Sequence, residues 1–310
     1  MKKYLVTGGA GFIGSHLIEK LVKENNQIIC IDDLSSGFLS NISIKNNVSF
    51  LKMSVQDVEL EQLEGIDGIF HLAAQASVPK SIDEFYNSSK NNLLSTLKVW
   101  DWANKLTIPI VYASSSAIYG NLPLGDDQKE KYDILSPYAQ DKLTQEHYAK
   151  LCWEIYKTSS IGLRFFNVYG PRQDPTNPYS GVISIFIDRL LQKKSVTVNG
   201  GYQTRDFIFV KDIAKIIAHS MDSLFKNKAC EFLNLGTGRS VTIDNLLDII
   251  ARILKTNPEI FFEDLPEGDP ERSGGTYDKI QQTLGININT FMKLENGLSD
   301  TIDYIMKDNQ

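Results

Sequence analysis

Cysteine is scarce: 310 residues carry three, Cys30, Cys152 and Cys230, far apart in the chain. That spacing builds neither a disulfide framework nor a zinc site, so no metal is expected and a cytoplasmic, reducing setting is the default. Long apolar runs are missing too. No stretch approaches the roughly 18 residues of a membrane span. The opening MKKYLVTGGAGF breaks its apolar run at Thr7-Gly8-Gly9 before a signal-peptide core forms. Basic charge is in deficit, with a formal net charge of −6, which leaves no electrostatic footprint for nucleic acid or an anionic membrane. Low-complexity tracts and internal repeats are absent as well. What remains is a globular composition, 42% apolar and 23% charged, long enough for one large or two modest domains.

Short β-rich runs alternate with amphipathic stretches through the first half. Strands are predicted at Lys3–Thr7, Gln27–Ile31, Val48–Lys52, Gly68–Leu72, Ile108–Ala113 and Ser160–Arg164, with helices including Ile13–Glu24 and Lys90–Lys105. This alternation predicts an α/β fold with a parallel sheet covered on both faces and a smaller C-terminal lobe. Prolines and glycines change the pattern after about Gly170. Further helices are predicted at Val182–Gln192, Lys211–Phe225 and Ile243–Lys255, with a strand at Glu231–Leu235. Residues 1–170, with returning segments at about 205–256, are assigned to the sheet domain; about 171–204 and 257–310 are assigned to the lobe.

Glycine is concentrated where the first strand meets the first helix, in TGGAGFIG. Gly8 would permit a tight turn, Gly11 would let a pyrophosphate approach the backbone, and Gly14 would let the helix pack on the strand. Such a turn alone is weak evidence. An acid about 20 residues on is the discriminator, and Asp32 ends the second strand, IICID, in that place. Its carboxylate would accept the adenosine ribose hydroxyls and repel a 2′-phosphate, favouring NAD over NADP. Asp33 is either a second cofactor contact or the cap of the next turn. Asp57 is placed for the adenine amino group, and Leu72-Ala73-Ala74 have the small size a crossing dinucleotide needs.

In SPYAQDK, Tyr138 and Lys142 stand at i and i+4 on one helix face. An ammonium beside a phenol, with oxidised nicotinamide nearby, favours the phenolate and lowers a pKa that starts near ~10, giving a base near neutral pH. Lys142 would also hold the nicotinamide ribose. The stretch VYASSSAIYG exposes Ser114, Ser115 and Ser116 at the carboxyl end of a strand, where open parallel sheets bind ligands. Ser115 is read as a proton relay to Tyr138, and its neighbours as lining.

Together TGGAGFIG, Asp32, HLAA, SSSAIYG, the Tyr138/Lys142 pair and LRFFNVYGPRQDP resemble the extended short-chain dehydrogenase/reductase family, within it the nucleotide-sugar 4-epimerases. The resemblance runs from Lys3 to about Asp278. It implies a Rossmann-type doubly wound parallel sheet that holds NAD permanently, a smaller C-terminal α/β substrate lobe that binds a UDP-sugar, and a homodimer. It adds Phe12, Ile13, Ser36, Gly37, Val58, Gln75 and Phe165 to the cofactor set. It places Asn167, Val182 and Asn199 on the substrate and makes Arg205 and Arg272 a diphosphate clamp, a task suited to guanidinium forks. Ser273, next to the second arginine, stands where the family's gatekeeper meets the C2 substituent; its small size implies that UDP-GlcNAc and UDP-GalNAc are accepted alongside UDP-Glc and UDP-Gal. Two departures stand out. Gln140 and Asp141 occupy positions where relatives carry a small residue and serine, and the glycines of RSGGTYD suggest a loose loop beside the sugar.

Dehydratases of this family carry Asp and Glu where this chain has Ser116 and Ala117. Without those carboxylates elimination loses its acid and base, which leaves oxidation and re-reduction at C4. Epimerisation of a UDP-uronic acid is the runner-up and would need a cation near C6, for which Lys80 is a candidate. An idle NAD-binding scaffold is disfavoured because the tyrosine and lysine are both present.

Overall fold

The computed structural model describes residues 1–43, 47–175, 181–265 and 269–308. In chain order the elements begin with β1 (Lys3–Thr7), α1 (Phe12–Lys23), β2 (Gln27–Asp32), β3 (Val48–Lys52), β4 (Gly68–His71), α2 (Val78–Asp83) and α3 (Phe85–Leu106). They continue with β5 (Ile110–Ser115), α4 (Pro137–Tyr156), β6 (Ser160–Phe165), β7 (Asn167–Tyr169), α5 (Val182–Leu191), β8 (Val196–Asn199), β9 (Thr204–Phe209) and α6 (Val210–Lys226). The last are β10 (Cys230–Leu235), β11 (Ser240–Thr242), α7 (Ile243–Leu254), β12 (Ile260–Glu263), β13 (Arg272–Ser273), α8 (Asp278–Leu284) and α9 (Leu294–Asp308). Among the described residues no helix is long and apolar enough to cross a membrane.

A seven-stranded sheet runs in the order β10-β6-β5-β4-β1-β2-β3. Its interior strands are apolar on both faces, as a sheet covered twice requires. The order reverses between β4 and β1, the switch point where doubly wound sheets bind ligands. Register brings the carboxyl ends level, with Thr7 opposite both Ile31 and His71, and His71 opposite Tyr112. Residues following these strands therefore emerge along one rim.

The chain divides into two compact units. The first comprises residues 1–115, 136–164 and 213–233; the second comprises 116–135, 165–212 and 234–310. The first unit's core joins Leu5, Ile31 and Ile69 of the sheet to Trp100, Trp102 and Ala103 of α3 and to Ala149 and Cys152 of α4. In the second unit, α5, α7 and α9 pack their apolar faces around Phe186, Leu246, Ile250 and Leu298. The returning segment is thus narrower than the expected 205–256. The apolar stripe of α7 is buried in the second core, and only 213–233 stays with the first unit. Residues 116–135, expected in the sheet domain, join the second unit, where Gly125 bridges Gly275. Of the segments assigned to the lobe, 176–180, 266–268 and 309–310 lie outside the described residues.

Candidate active site

The first unit forms a cradle at the ends of β1 and β2. Gly8 has φ +69°, and a Cβ there would lie 2.7 Å from the Ala73 nitrogen. A Cβ on Gly14 would lie 2.1 Å from the Gly8 carbonyl oxygen. Gly11 differs, since a Cβ would meet only the Gly8 oxygen, at 3.2 Å. Helix α1 starts just after it with no side-chain cap. An uncapped helix start beside an unobstructed glycine suits a pyrophosphate, with the amides of Phe12 and Ile13 opening the helix.

Asp32 is buried, accepting from the Ala10 amide at 2.9 Å and from the Leu34 amide at 2.8 Å. Burial raises its pKa, opposed by those amides. The carboxylate therefore braces the glycine turn from the end of β2. Asp33 is exposed and accepts from the Ser35 amide at 2.8 Å, the turn-cap alternative. Ser36 is exposed; Gly37 is buried against Ala10. Asp57 is exposed at the end of a short 3-10 turn, whereas Val58 is a core side chain, so only its backbone can face a ligand.

Leu72, Ala73, Ala74 and Gln75 follow β4 half-buried. The Leu72 and Ala73 amides both donate to Thr7 Oγ1, each at 3.3 Å, and that hydroxyl lies 2.8 Å from His71 Nδ1. Burial holds His71 neutral, its pKa pushed down to about 3. With the Thr7 oxygen already accepting, the hydroxyl donates to Nδ1 and the imidazole proton sits on Nε2.

Helix α4 begins at Pro137 after Ser136, whose hydroxyl accepts from the Ala139 amide at 3.2 Å. Its i, i+4, i+8 face carries Tyr138, Lys142 and Glu146 into the first unit, all buried. Tyr138 hydrogen-bonds the Ser115 hydroxyl at the end of β5. Lys142 Nζ lies 5.8 Å from the Tyr138 ring centroid and donates to the Ala113 carbonyl at 2.6 Å. The expected lowering of the tyrosine pKa is not what the protein alone produces. Burial raises it and Asp141 adds to the rise, while the Ser115 bond opposes both. Burial likewise pushes Lys142 down to about 8. Ser114 faces inward and donates to Glu146 at 2.6 Å, and Glu146 takes a bidentate grip from Arg164 at 2.9 and 2.6 Å. Its hydroxyl is therefore committed to a structural bond rather than to lining a cofactor. Sequence reading passed over Thr7, Asn92, Glu146 and Arg164; the i+8 spacing of Glu146 from Tyr138 was the available signal.

The second unit contains a cavity of about 470 Å³ whose walls include Asn167, Val182, Asn199 and Arg205, four of the residues expected on the substrate. That volume lies within the range of small-molecule sites. Gln173, Gln203 and Asp269 complete its polar lining. Arg205 is buried and its Nη2 donates to Asp269 at 2.6 Å. Asn167 is held by its amide on the Asp206 carbonyl at 3.3 Å. Arg272 is exposed on β13 opposite Thr204 and does not line the cavity, so the two arginines are not brought together there. Ser273, opposite Arg205, is half-buried. Phe165 and Phe166 are buried, and Phe166 stacks on Tyr119 with centroids 6.5 Å apart. Ser116 opens the 3-10 turn that holds this tyrosine. The loop after Ser273 is not loose. Gly125 donates to the Gly274 carbonyl and accepts from the Thr276 amide, both at 2.9 Å, and Gly275 packs where a Cβ would lie 2.6 Å from the Phe166 ring. Lys80, half-exposed, lies 3.9 Å from Glu84 as a surface pair. Among the described residues no group of three or more His, Cys, Asp or Glu could hold a metal.

The profile of the NAD dependent epimerase/dehydratase family matches residues 4–236. The chain belongs to that family. As a member it is an NAD-dependent enzyme, and the uncapped start of α1, the open approach at Gly11 and the Asp32 carboxylate fit that cofactor. A putative UDP-glucose 4-epimerase of Methanocaldococcus jannaschii is 35% identical, with 99% of each chain covered. Among solved structures, the UDP-N-acetylglucosamine 4-epimerase of Methanobrevibacter ruminantium, in complex with UDP-N-acetylmuramic acid, has 35% identity and a TM-score of 0.91, again covering 99% of each chain. The UDP-glucose 4-epimerase of Thermotoga maritima, with UDP-glucose, has 31% identity and a TM-score of 0.90 over 99% of this chain and 100% of that one.

Proposed function

We propose that this enzyme is a UDP-hexose 4-epimerase that interconverts UDP-GlcNAc with UDP-GalNAc and UDP-Glc with UDP-Gal. The observation that carries the reading is the Ser115–Tyr138 hydrogen bond with Lys142 on the same helix face, followed in the chain by Ser116 and Ala117 rather than carboxylates. This is a site for moving a proton on and off a hydroxyl, and those two positions offer no acid–base pair for eliminating water. The two epimerases named above, one described for an N-acetylated sugar and one for glucose, are about equally similar, which supports both substrates.

Gly8, Gly11 and Gly14 with Asp32 would hold the adenosine and pyrophosphate of the cofactor, and Lys142 its nicotinamide ribose. Bound NAD supplies a hydride acceptor at the sugar's C4 and, once reduced, the donor that returns it. Tyr138 takes the C4 hydroxyl proton through Ser115 and later gives it back. The positive charge of the oxidised cofactor offsets the burial that otherwise keeps the phenol protonated. Arg205 anchors the diphosphate in exchange for Asp269, while Asn167, Val182 and Asn199 hold the nucleotide. A nucleotide held while its hexose turns lets either face of C4 receive the hydride.

Exposed apolar side chains on α3 and α4, namely Tyr86, Leu94, Leu97, Leu151 and Ile155, support a homodimer through these helices. Three free thiols support a reducing cytoplasmic setting. Incubation of purified protein with UDP-GlcNAc, UDP-Glc and UDP-GlcA, without added cofactor, tests the reading. The expected products are the C4 epimers of the first two; conversion of UDP-GlcA alone would reject it.

A further inference from the structure

Residue 141, directly before the lysine, carries a carboxylate on the interior side of α4. Asp141 is 5% exposed. An isolated charge there would be costly, so its partners matter. Asn92 of α3 donates its amide to Asp141 Oδ2 at 3.0 Å. The same Asn92 accepts from the Gln75 amide at 2.8 Å and donates to the Gln75 carbonyl at 3.2 Å. Gln75 in turn donates to the Ser77 carbonyl and the Ser88 hydroxyl, each at 3.0 Å. One chain of bonds, buried at Asp141 and part-buried at Gln75, therefore joins the helix bearing Tyr138 and Lys142 to the turn after β4 that carries Leu72, Ala73 and Ala74.

We propose that Asp141 is a positioning residue that supplies the counter-charge to Lys142 and, through Asn92, ties α4 to the turn after β4. The inference rests on the epimerase reading for its kinetic consequence, but not for its structural content.

The other groups facing this pair leave the charge role to Asp141. On β4, His71 is neutral. On α4, Glu146 faces Lys142 but is gripped in bidentate fashion by Arg164 of β6. On β5, Ser115 is uncharged and bonds Tyr138. On α2, Ser81 accepts from the Tyr138 amide at 3.2 Å, while the Lys80 ammonium is directed to Glu84. Asp141 is thus the carboxylate near Lys142 without an arginine on it. Its charge favours the ammonium of Lys142 against burial and disfavours the phenolate of Tyr138. Both effects have one sign on the pH axis.

Asp141→Asn keeps the shape and an acceptor for Asn92 while removing the charge; Asp141→Ser is the second variant should the first not fold. Both limbs of the kcat–pH profile should move to lower pH together, by roughly one pH unit. The tyrosinate ultraviolet absorbance of Tyr138, differenced against Tyr138→Phe, should titrate lower by a similar interval. A variant with reduced amplitude but unmoved limbs and an unmoved tyrosinate titration would overturn the proposal, as would movement to higher pH. If the wild type converts no UDP-hexose, the epimerase reading fails, and the tyrosinate titration still decides the role of Asp141.

Discussion

Lys142 gives a hydrogen bond at 2.6 Å to the Ala113 carbonyl, so the ammonium lies on the backbone of β5 rather than on the phenol of Tyr138, its i+4 neighbour. The helix face brings the two side chains together, but the strand fixes where the charge sits. The ammonium lies 5.8 Å from the centroid of the phenol ring. Tyr138 needs more than this neighbour to ionise, because burial dominates.

Tyr138→Phe should therefore lower kcat by about 10²–10⁴ while leaving KM for the UDP-sugar close to wild type, since the phenol moves a proton rather than gripping the nucleotide. Lys142→Met should lower kcat as well and weaken cofactor retention. Steady-state kinetics with cofactor content measured by absorbance would separate the two. Near-normal turnover of the tyrosine variant would remove it from the role of base.

Most of the first unit was legible because its physics is local. Predicted and observed bounds coincide for β1 and β3, differ by one residue at one end for β2, β4 and β6, and are displaced by two residues for β5. In the second unit the helices α5 and α7 were legible too, each within a residue of its predicted bounds, but the strands were not. The strands β7, β8, β11 and β13 are short, and β9 finds its partners β7, β11 and β13 far along the chain. Their pairing is decided by tertiary contacts that no window of sequence contains. The site divides in the same way. Glycine spacing and the acid at the end of β2 announce a dinucleotide cradle. The inward turn of Ser114 depends on Glu146 and Arg164, 32 and 18 residues apart in their pairings, and leaves no local trace.

The two arginines expected to clamp a diphosphate should behave unequally. Arg205 is buried in the cavity wall, held by Asp269, and Arg272 is exposed outside it. Arg205→Ala should raise KM for UDP-sugars by about 10- to 100-fold, the scale of a lost charge-assisted hydrogen bond. Arg272→Ala should change it less than about threefold, as a surface substitution does. UDP binding by calorimetry provides the check, and equal losses would restore the two-arginine clamp.

Ser273 tests the choice of sugar. It is half-buried, and the loop that follows is pinned through Gly274 and Thr276 to Gly125, so a large side chain there cannot be relieved by loop movement. Ser273→Tyr should cost the N-acetylated substrates at least about tenfold more in kcat/KM than the plain hexoses, since overpacking is worth ~1–3 kcal/mol. Product analysis with both sugars measures the ratio. Equal losses would place the C2 substituent elsewhere.

His71 gives the protein a specific acid sensitivity. Its imidazole is buried, neutral and fixed by the Thr7 hydroxyl, with a folded pKa of about 3 against 6.5 in the unfolded chain. Above pH 6.5 neither state binds the proton and the residue has no pH-dependent effect. As pH falls between these two values the unfolded chain protonates first, so stability is lost at ~1.4 kcal/mol per pH unit, or about 2 kcal/mol by pH 5. Asparagine can accept from Thr7 at the same position and carries no such proton. Denaturant melts of the wild type and His71→Asn between pH 7 and 5 should converge as the pH falls, the variant losing about 2 kcal/mol less. Parallel curves for the two proteins would mean that the imidazole takes up its proton without unfolding, and that the wall behind the cofactor turn admits water.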